Sequence, residues 1–300
     1  MRNGGLVVDF RARPPTPEFL TYFIPKHVSY VGFRLGMRKL PKSYTEGSID
    51  QWFAEADAGG VDRLVVLGRN SPSVGDTPIS NISNEYIAQL VRQYPDRLVG
   101  VAGIDVGGEF GDPLVQTRKA VTKLDMRAIH IQPTRSALKT HADDRRLYPL
   151  YELCLELDVP VVYMTSPYSG PSIEDTHPKF IQQVAVDFPK LNLICGHGCW
   201  PYVHEAIGVA FKHSNVYLAP DAYIFMPGGS AYVEAANGFM ADQMLYGSAY
   251  PVGELDACVD AYLKFPFSSE RHRKILGENA ARLLKLKPSA IHPITSTSAT

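Results

Sequence analysis

Short apolar or β-branched runs alternate with segments of helical periodicity through nearly the whole chain. We predict eight strands, at residues 6–10, 63–67, 98–104, 127–132, 159–164, 191–195, 215–218 and 244–246. Between several of them, apolar residues recur at spacings of three and four, as in Ile49/Trp52/Phe53/Ala56, which is typical of amphipathic helices. Repeated strand–helix units favour parallel strands joined by crossover helices. Eight repeats favour a closed (β/α)8 TIM barrel, with an open doubly wound sheet as the alternative.

Two segments are too long for simple connections between a strand and a helix. Residues 14–48 are rich in proline and aromatic residues, and residues 219–235 contain the pair Gly228-Gly229. Long structured loops in compact domains usually serve a site, so we expect both segments to be lids over the barrel mouth. We therefore predict one barrel domain at 1–287 that includes both insertions, followed by a flexible Ser/Thr-rich tail at 288–300.

The charge balance argues against nucleic acid and membranes as partners. The chain has 30 basic and 31 acidic residues, and it lacks the roughly 18 consecutive apolar residues of a membrane span. The sequence therefore predicts a cytoplasmic protein that binds neither. Four cysteines are too few to suggest a disulfide framework, which favours buried free thiols. A metal cluster of Cys195, His197 and Cys199 is the alternative that their spacing leaves open.

In a TIM barrel the reactive groups lie at the carboxyl ends of the strands. The polar and other candidate residues at these ends are Asp9, Arg11, Arg13, Asp105, His130, Gln132, Met164, Thr165, Ser166, His197, Asp221, Ser248, Ala249 and Tyr250. Gly-rich phosphate loops and the common hydrolase motifs are absent from the sequence. The strand ends therefore define the region where we look for chemistry.

Four segments at strand ends form a recognisable set, namely VDFRARP at residues 8–14, PVVYM at 160–164, LICGHG at 193–198 and LYGSAYP at 245–251. Together they resemble the amidohydrolase-related family, and in particular its branch of aminocarboxymuconate-semialdehyde and resorcylate-type decarboxylases. The segment RKILGENAARLL at 273–284 is similar to the closing helix of that family. The resemblance spans residues 6 to about 285, and it implies a metal-dependent-hydrolase type of TIM barrel, an enzyme, and paired subunits in a homodimer.

The positions that hold one or two divalent metals in that family are substituted here. The resemblance places Arg11 and Arg13 at the two histidines of the first strand, Met164 at the histidine of the fifth and Ala249 at the aspartate of the eighth. His197 matches the histidine of the sixth strand. Guanidinium groups bring fixed positive charge and no lone pair, so we expect neither a metal nor another cofactor.

Arg11 and Arg13 lie on the same side of an extended strand because they are two residues apart. Buried guanidinium groups need an anion, and Asp9, Asp105 and Asp221 are the candidate partners within the chain. A substrate carboxylate is the candidate partner outside it, because the forked donors of arginine match its two oxygens. The alternative is that both arginines only form salt bridges to the first insertion.

The candidate catalytic residues are therefore His197 as general acid or base, Arg11 and Arg13 as an anion clamp, and Asp221. For substrate binding we select His130, Gln132, Tyr163, Trp200 and Tyr250. Packing in the barrel core would explain His130 equally well, and it is the commoner role of aromatic residues at strand ends.

These groups suit a metal-independent lyase, such as a decarboxylase, that acts on a small unsaturated or aromatic carboxylate. A metal-free lactonase-type hydrolase and a degenerate barrel that only binds a small acid are the alternatives.

Overall fold

The computed structural model describes residues 5–23, 31–71 and 80–286. Within them lie the strands β1 (Val8–Asp9), β2 (Arg63–Leu67), β3 (Arg69–Ser71), β4 (Ser80–Ile82), β5 (Leu98–Ile104), β6 (Ile129–Ile131), β7 (Val161–Met164), β8 (Leu193–Gly196) and β9 (Val216–Ala219). The predicted tail at 288–300 and residues 24–30 of the first predicted insertion lie outside the described residues.

Seven of these strands form one parallel sheet in the order β1-β2-β5-β6-β7-β8-β9. The segment predicted as the eighth strand, residues 244–246, is extended but forms only an isolated bridge between Leu218 and Met244. The backbone N–H of Leu245 donates to the carbonyl of Leu218, and the N–H of Phe10 donates to the carbonyl of Tyr246 (2.9 and 3.0 Å). These two bonds join β9 to β1 through this segment, so the sheet curls into a closed barrel.

Helices follow most strands and cover the outside of the sheet. They are α1 (Pro17–Phe23), α2 (Lys42–Glu46), α3 (Ile49–Gly59), α4 (Asn84–Gln93), α5 (Pro113–Leu124), α6 (Tyr148–Glu156), α7 (Lys179–Asp187), α8 (Val203–Lys212), α9 (Ser230–Gly238), α10 (Leu255–Leu263), α11 (Ser269–Arg273) and α12 (Asn279–Leu283). The periodicity predicted for α3 is confirmed, because Trp52 and Ala56 are fully buried. Ser48 caps this helix by accepting a hydrogen bond from the N–H of Gln51.

Alternate residues of each strand enter two different cores. Val8, Val65, Val162 and Ile194 belong to the cluster inside the barrel, whereas residues such as Tyr163 pack in the layer between sheet and helices. This alternation follows from the two-residue period of a strand. It decides which side chains can reach the barrel mouth.

A short antiparallel hairpin, β3 with β4, follows β2 and was not predicted. Arg69 pairs with Ile82 at its first position. In the described ranges we find no helix with the length and apolarity needed to cross a membrane. All four cysteines are buried free thiols.

Candidate active site

Arg11, Asp221 and His197 meet at the carboxyl ends of the strands. Arg11 Nε lies 3.5 Å from Asp221 Oδ2, and His197 Nδ1 lies 2.9 Å from the same oxygen. Arg11 Nη2 also contacts the sulfur of Met164 at 3.3 Å. All three charged or titratable side chains are buried. The structure thus brings together three of the four predicted catalytic residues.

Of the three carboxylates considered as partners for the arginines, Asp221 is the one in contact with a guanidinium. Asp9 instead accepts hydrogen bonds from the backbone N–H groups of Arg11 and Ser248 and from the Ser248 hydroxyl. Asp105 accepts from the backbone N–H groups of residues 107, 109 and 110 and so shapes its own loop.

Arg13, after the first strand, is held by residues that follow the segment at 244–246, which closes the barrel. Its Nη1 donates to the carbonyls of Ala249 and Tyr250, at 2.7 and 2.9 Å. The hydroxyl of Tyr44, in α2, donates to the backbone carbonyl of Arg13. The guanidinium of Arg13 is therefore positioned by backbone carbonyls, and the first insertion holds the backbone of the same residue.

The backbone at these strand ends adopts left-handed conformations that only glycine takes freely. His197, Gly198 and Cys199 have φ values of 71°, 64° and 64° in succession, and Asp221 and Ala249 have 53° and 56°. Such conformations cost of order 1 kcal/mol each for residues with a Cβ, and they cluster at functional sites. Here they turn the chain so that His197 and Asp221 face each other.

Gly247 leaves the space that Asp221 needs. A Cβ at residue 247 would lie 2.3 Å from Asp221 Oδ1 and 3.5 Å from the Cβ of Arg11. This approach is far too close for any larger residue.

A small cavity of about 20 Å³ opens beside these groups. Arg11, Arg13, Arg69, His130 and Met164 supply its polar and sulfur lining, and Phe19, Leu67 and Ile82 supply apolar lining. Arg69 is a residue that the sequence analysis missed. It follows the end of β2 by two positions, so the strand-end rule applied to that strand would have indicated it.

His130 and Gln132 both belong to the buried polar groups of the barrel. His130 Nδ1 lies 3.2 Å from the carbonyl of Gly68. Its Nε2 and both amide atoms of Gln132 are buried and have no hydrogen-bond partner among the described residues.

The three predicted aromatic residues lie in three different environments. Tyr163 packs against Tyr151 in the outer layer, with ring centroids 6.4 Å apart, and therefore does not face the barrel mouth. The hydroxyl of Tyr250 contacts Glu55 and Ser43, so only its backbone carbonyl serves the site. Trp200 donates to the carbonyl of Pro227 and lies near Tyr223, with centroids 5.5 Å apart.

Burial and fixed charge set the protonation of the site. Burial raises the pKa of Asp221 to about 6, although Arg11 and Arg13 oppose this rise. Burial also raises the pKa of Asp9 to about 6, and burial beside Arg11 lowers that of Arg13 to about 9. For His197, burial and then Arg11 and Arg13 lower the pKa well below its usual range. Near pH 7 the aspartates are therefore mainly ionised, both arginines are charged and the imidazole is neutral.

The side chains around Arg11 do not fit a divalent metal. A guanidinium has no lone pair, the thioether of Met164 is a poor ligand for hard cations, and Ala249 has no donor atom in its side chain. In the described part of the chain, no group of three or more His, Cys, Asp or Glu residues is arranged to hold a metal ion. This includes the trio of Cys195, His197 and Cys199 considered from the sequence.

Comparisons with known proteins agree with this architecture. A family model described as amidohydrolase matches residues 39–286. The crystal structure of an uncharacterised TIM-barrel protein from Bordetella bronchiseptica is 37% identical, covers 93% of this chain and 98% of its own, and superimposes with a TM-score of 0.86. That similarity confirms the predicted barrel.

Relatives with stated activities are more distant. The 5-carboxyvanillate decarboxylase of Novosphingobium aromaticivorans, solved with bound manganese, has 17% identity and a TM-score of 0.66 over 95% of this chain and 98% of its own. The 4-oxalomesaconate hydratase of Rhodopseudomonas palustris has 17% identity and a TM-score of 0.65 over 93% and 96%. At this identity the likeness shows the fold alone. A 2-keto-4-carboxy-3-hexenedioate hydratase of Sphingobium is 25% identical over 46% of this chain and 48% of its own length, so the match spans about half of that relative.

Proposed function

This chain belongs to the amidohydrolase family, and on that basis we propose that it is a metal-independent lyase of the decarboxylase type. Its substrate would be a small unsaturated or aromatic compound that carries a carboxylate. The relatives with stated activities are decarboxylases and hydratases, which supports an enzyme that acts as a lyase or hydrolase. The observation that carries the proposal is the contact of Arg11 and His197 with one buried carboxylate, Asp221.

His197 supplies the proton transfer in this proposal. At neutral pH the ionised Asp221 favours the tautomer with the proton on Nδ1, which leaves Nε2 as the nitrogen that exchanges protons. Burial, and then the neighbouring guanidinium groups, lower the pKa of this histidine, so its imidazolium form is a strong acid. A proton taken up from solvent at Nε2 would therefore be delivered readily to carbon, as general acid catalysis requires.

The arginines stabilise the charge that develops on the substrate. When the bond to the departing carboxylate breaks, its electron pair remains on carbon and spreads into the ring or the conjugated carbonyl. Arg11 and Arg13 would stabilise this charge, and His197 would then protonate the carbon as carbon dioxide leaves. A guanidinium bound to the departing carboxylate would stabilise the ground state, so we place the arginines on another carboxylate or carbonyl of the substrate.

We also propose that residues 14–48 and 219–235 act as lids of one barrel domain at 1–287. Phe19 lines the cavity, and Tyr223 lies 5.1 Å from the ring of His197. A free volume of about 20 Å³ holds about one water molecule. Substrate entry would therefore require these segments to move.

The test is product analysis by mass spectrometry with a panel of aromatic and unsaturated carboxylic acids. We expect loss of carbon dioxide from at least one acid, and incorporation of deuterium at the same carbon when the reaction runs in deuterium oxide. His197→Gln should abolish turnover while the acid still binds, and exposed His204→Gln serves as the control. Addition of water across an ester would favour the lactonase-type alternative. Full turnover by His197→Gln would contradict the proposed mechanism.

A further inference from the structure

Helix α8 presents a large apolar side chain to solvent. Phe211 is 71% exposed, more than any other large hydrophobic residue in the ranges that the structure describes. Its ring meets that of Phe239, which directly follows α9 and is 44% exposed, edge to face with the centroids 4.9 Å apart. Single exposed apolar residues are common on protein surfaces, but a contiguous aromatic pair marks a candidate contact surface.

A glycine lies at the centre of the exposed face of this helix. The exposed residues of α8 are His204, Glu205, Gly208, Phe211 and Lys212, and we call them, together with Phe239, the α8 patch. At about 100° per residue, Gly208 lies in the middle of the face, with Phe211 on one side and Glu205 and Lys212 on the other.

Nothing within the described part of the chain requires a glycine at residue 208. A Cβ there would meet no atom within 4 Å. Glycine destabilises the interior of a helix relative to alanine, because it loses more backbone freedom on folding. The close approach of a second molecule would explain its presence, since small residues let two helices pack with their axes near each other.

The charges of the α8 patch complement each other when two copies of the helix run antiparallel. Glu205 and Lys212 are seven residues apart, which is about two turns, so they lie on the same side of the helix. Around a two-fold axis midway between residues 208 and 209, Glu205 of each copy faces Lys212 of the other. Neither residue forms a salt bridge within the described ranges. One helix face thus supplies both halves of two crosswise ion pairs.

The same arrangement brings the apolar side of the patch together. A two-fold axis perpendicular to both helices keeps the Phe211 side of one copy next to the Phe211 side of the other. Phe211 then packs against the half-buried Ile207 of the second copy. The two glycines at residue 208 oppose each other at the centre, where the backbones come closest.

We propose that the α8 patch is the surface through which two copies of this chain form a two-fold dimer. The partner is a second copy because the pattern of charge and shape on this face is its own complement. Arg11, His197 and Asp221 lie outside the patch, so the proposal is independent of the proposed function.

Sedimentation equilibrium of the full chain tests the charge pattern. Glu205→Lys and Lys212→Glu should each raise the dissociation constant of the dimer at least about tenfold, because each makes both crosswise pairs repulsive. An equimolar mixture of the two variants should form a heterodimer, because each supplies the charges that the other lacks. The double variant should dimerise like the parent. Lys123→Glu, which makes the same charge change at an exposed position of α5, is the control and should dimerise unchanged.

Phe211→Ser tests the apolar side of the patch. It should raise the dissociation constant about a hundredfold, because each dimer contains two copies of the ring. The side chain is mostly exposed, so its loss should leave the far-ultraviolet circular dichroism of the protein unchanged. Phe33→Ser removes a ring that is 67% exposed elsewhere on the chain and should leave the dimer intact.

Three outcomes would overturn the proposal. A parent that remains a monomer at its highest soluble concentration would leave the patch to a different partner. A dimer that persists unchanged in Phe211→Ser and in both charge reversals would place the interface on another surface. Single charge variants that dissociate but do not recombine in the mixture would exclude the antiparallel two-fold arrangement. None of these measurements involves turnover of an acid, so their failure is distinct from failure of the proposed function.

Discussion

Replacing Arg11 by methionine should weaken ligand binding strongly and change stability little. Arg11 is buried beside Asp221, with Nε and Oδ2 3.5 Å apart. Removing one member of a buried ion pair usually costs 3–5 kcal/mol, because the remaining charge is left without a counter-ion. Asp221 has an alternative, which is to take up a proton.

The pKa of about 6 sets the size of this effect. At pH 7 the carboxyl is one pH unit above its pKa, so protonating it in the folded protein costs about 1.4 kcal/mol. Replacing Arg11 can therefore lower the free energy of unfolding by no more than about 1.4 kcal/mol through Asp221. Removing the buried guanidinium also removes its desolvation cost, which stabilises the fold. At pH 5.5 the carboxyl is largely protonated already, so the loss through this contact should vanish.

Urea unfolding at pH 7 and pH 5.5, together with calorimetry of acid binding, measures both effects. The affinity of Arg11→Met for carboxylates should fall by about 2–5 kcal/mol, and Arg11→Lys should restore little of it. Arg118→Met, which breaks an exposed pair with Glu156, is the control and should leave binding unchanged. A loss of 3 kcal/mol or more that is equal at both pH values would refute the argument from protonation. Unchanged affinity would refute the anion clamp.

Four further outcomes are expected. Gly247→Ala should abolish turnover while the protein still folds, because the new Cβ would displace Asp221. Gly208→Ala is the control and should leave turnover unchanged, because a Cβ at residue 208 would meet no atom within 4 Å. Between pH 7.5 and 5, the free energy of unfolding of the parent, measured in urea, should fall by about 2 kcal/mol more than that of His130→Asn. The reason is that the unfolded histidine gains a proton below pH 6.5, whereas the folded one, with its pKa of about 3, does not. Equal pH profiles for the two proteins would contradict this. Elemental analysis of the active protein should find no stoichiometric divalent metal, and chelator should leave turnover unchanged. Light scattering should give twice the 33.1 kDa mass of one chain, and a monomer mass would contradict the predicted homodimer.

The sequence was most informative where apolar residues repeat every two or every three to four residues over a segment long enough to be recognised. The strands and helices of the barrel follow from such patterns, and Arg11, His197 and Asp221 follow from their places after strands. The same period excludes Tyr163 as a residue of the mouth. Met164 contacts Arg11, and Tyr163, the residue before it in β7, must point to the opposite face of the strand.

Other features depend on contacts that leave no local pattern. The hairpin of β3 and β4 has three residues in each strand and little apolar alternation, so no periodicity marks it. The side chain of Tyr250 turns away from the site after Ala249, which has a φ of 56° that the sequence does not signal. The pairing of Arg11 with Asp221 rather than Asp9 also depends on the folded positions of Ser248 and Gly247, which spacing along the chain does not reveal.

Side chains at the site also help to close the barrel. Only a few backbone hydrogen bonds join the segment at 244–246 to its neighbours, and the side chains of Asp9 and Arg13 span the same junction to Ser248, Ala249 and Tyr250. Arg13, which would hold the ligand, therefore also links the two ends of the sheet where few backbone hydrogen bonds join them. A ligand that binds Arg13 should stabilise this junction and slow amide hydrogen exchange at Phe10 and Leu245. Exchange at these two amides would then report whether the site is occupied.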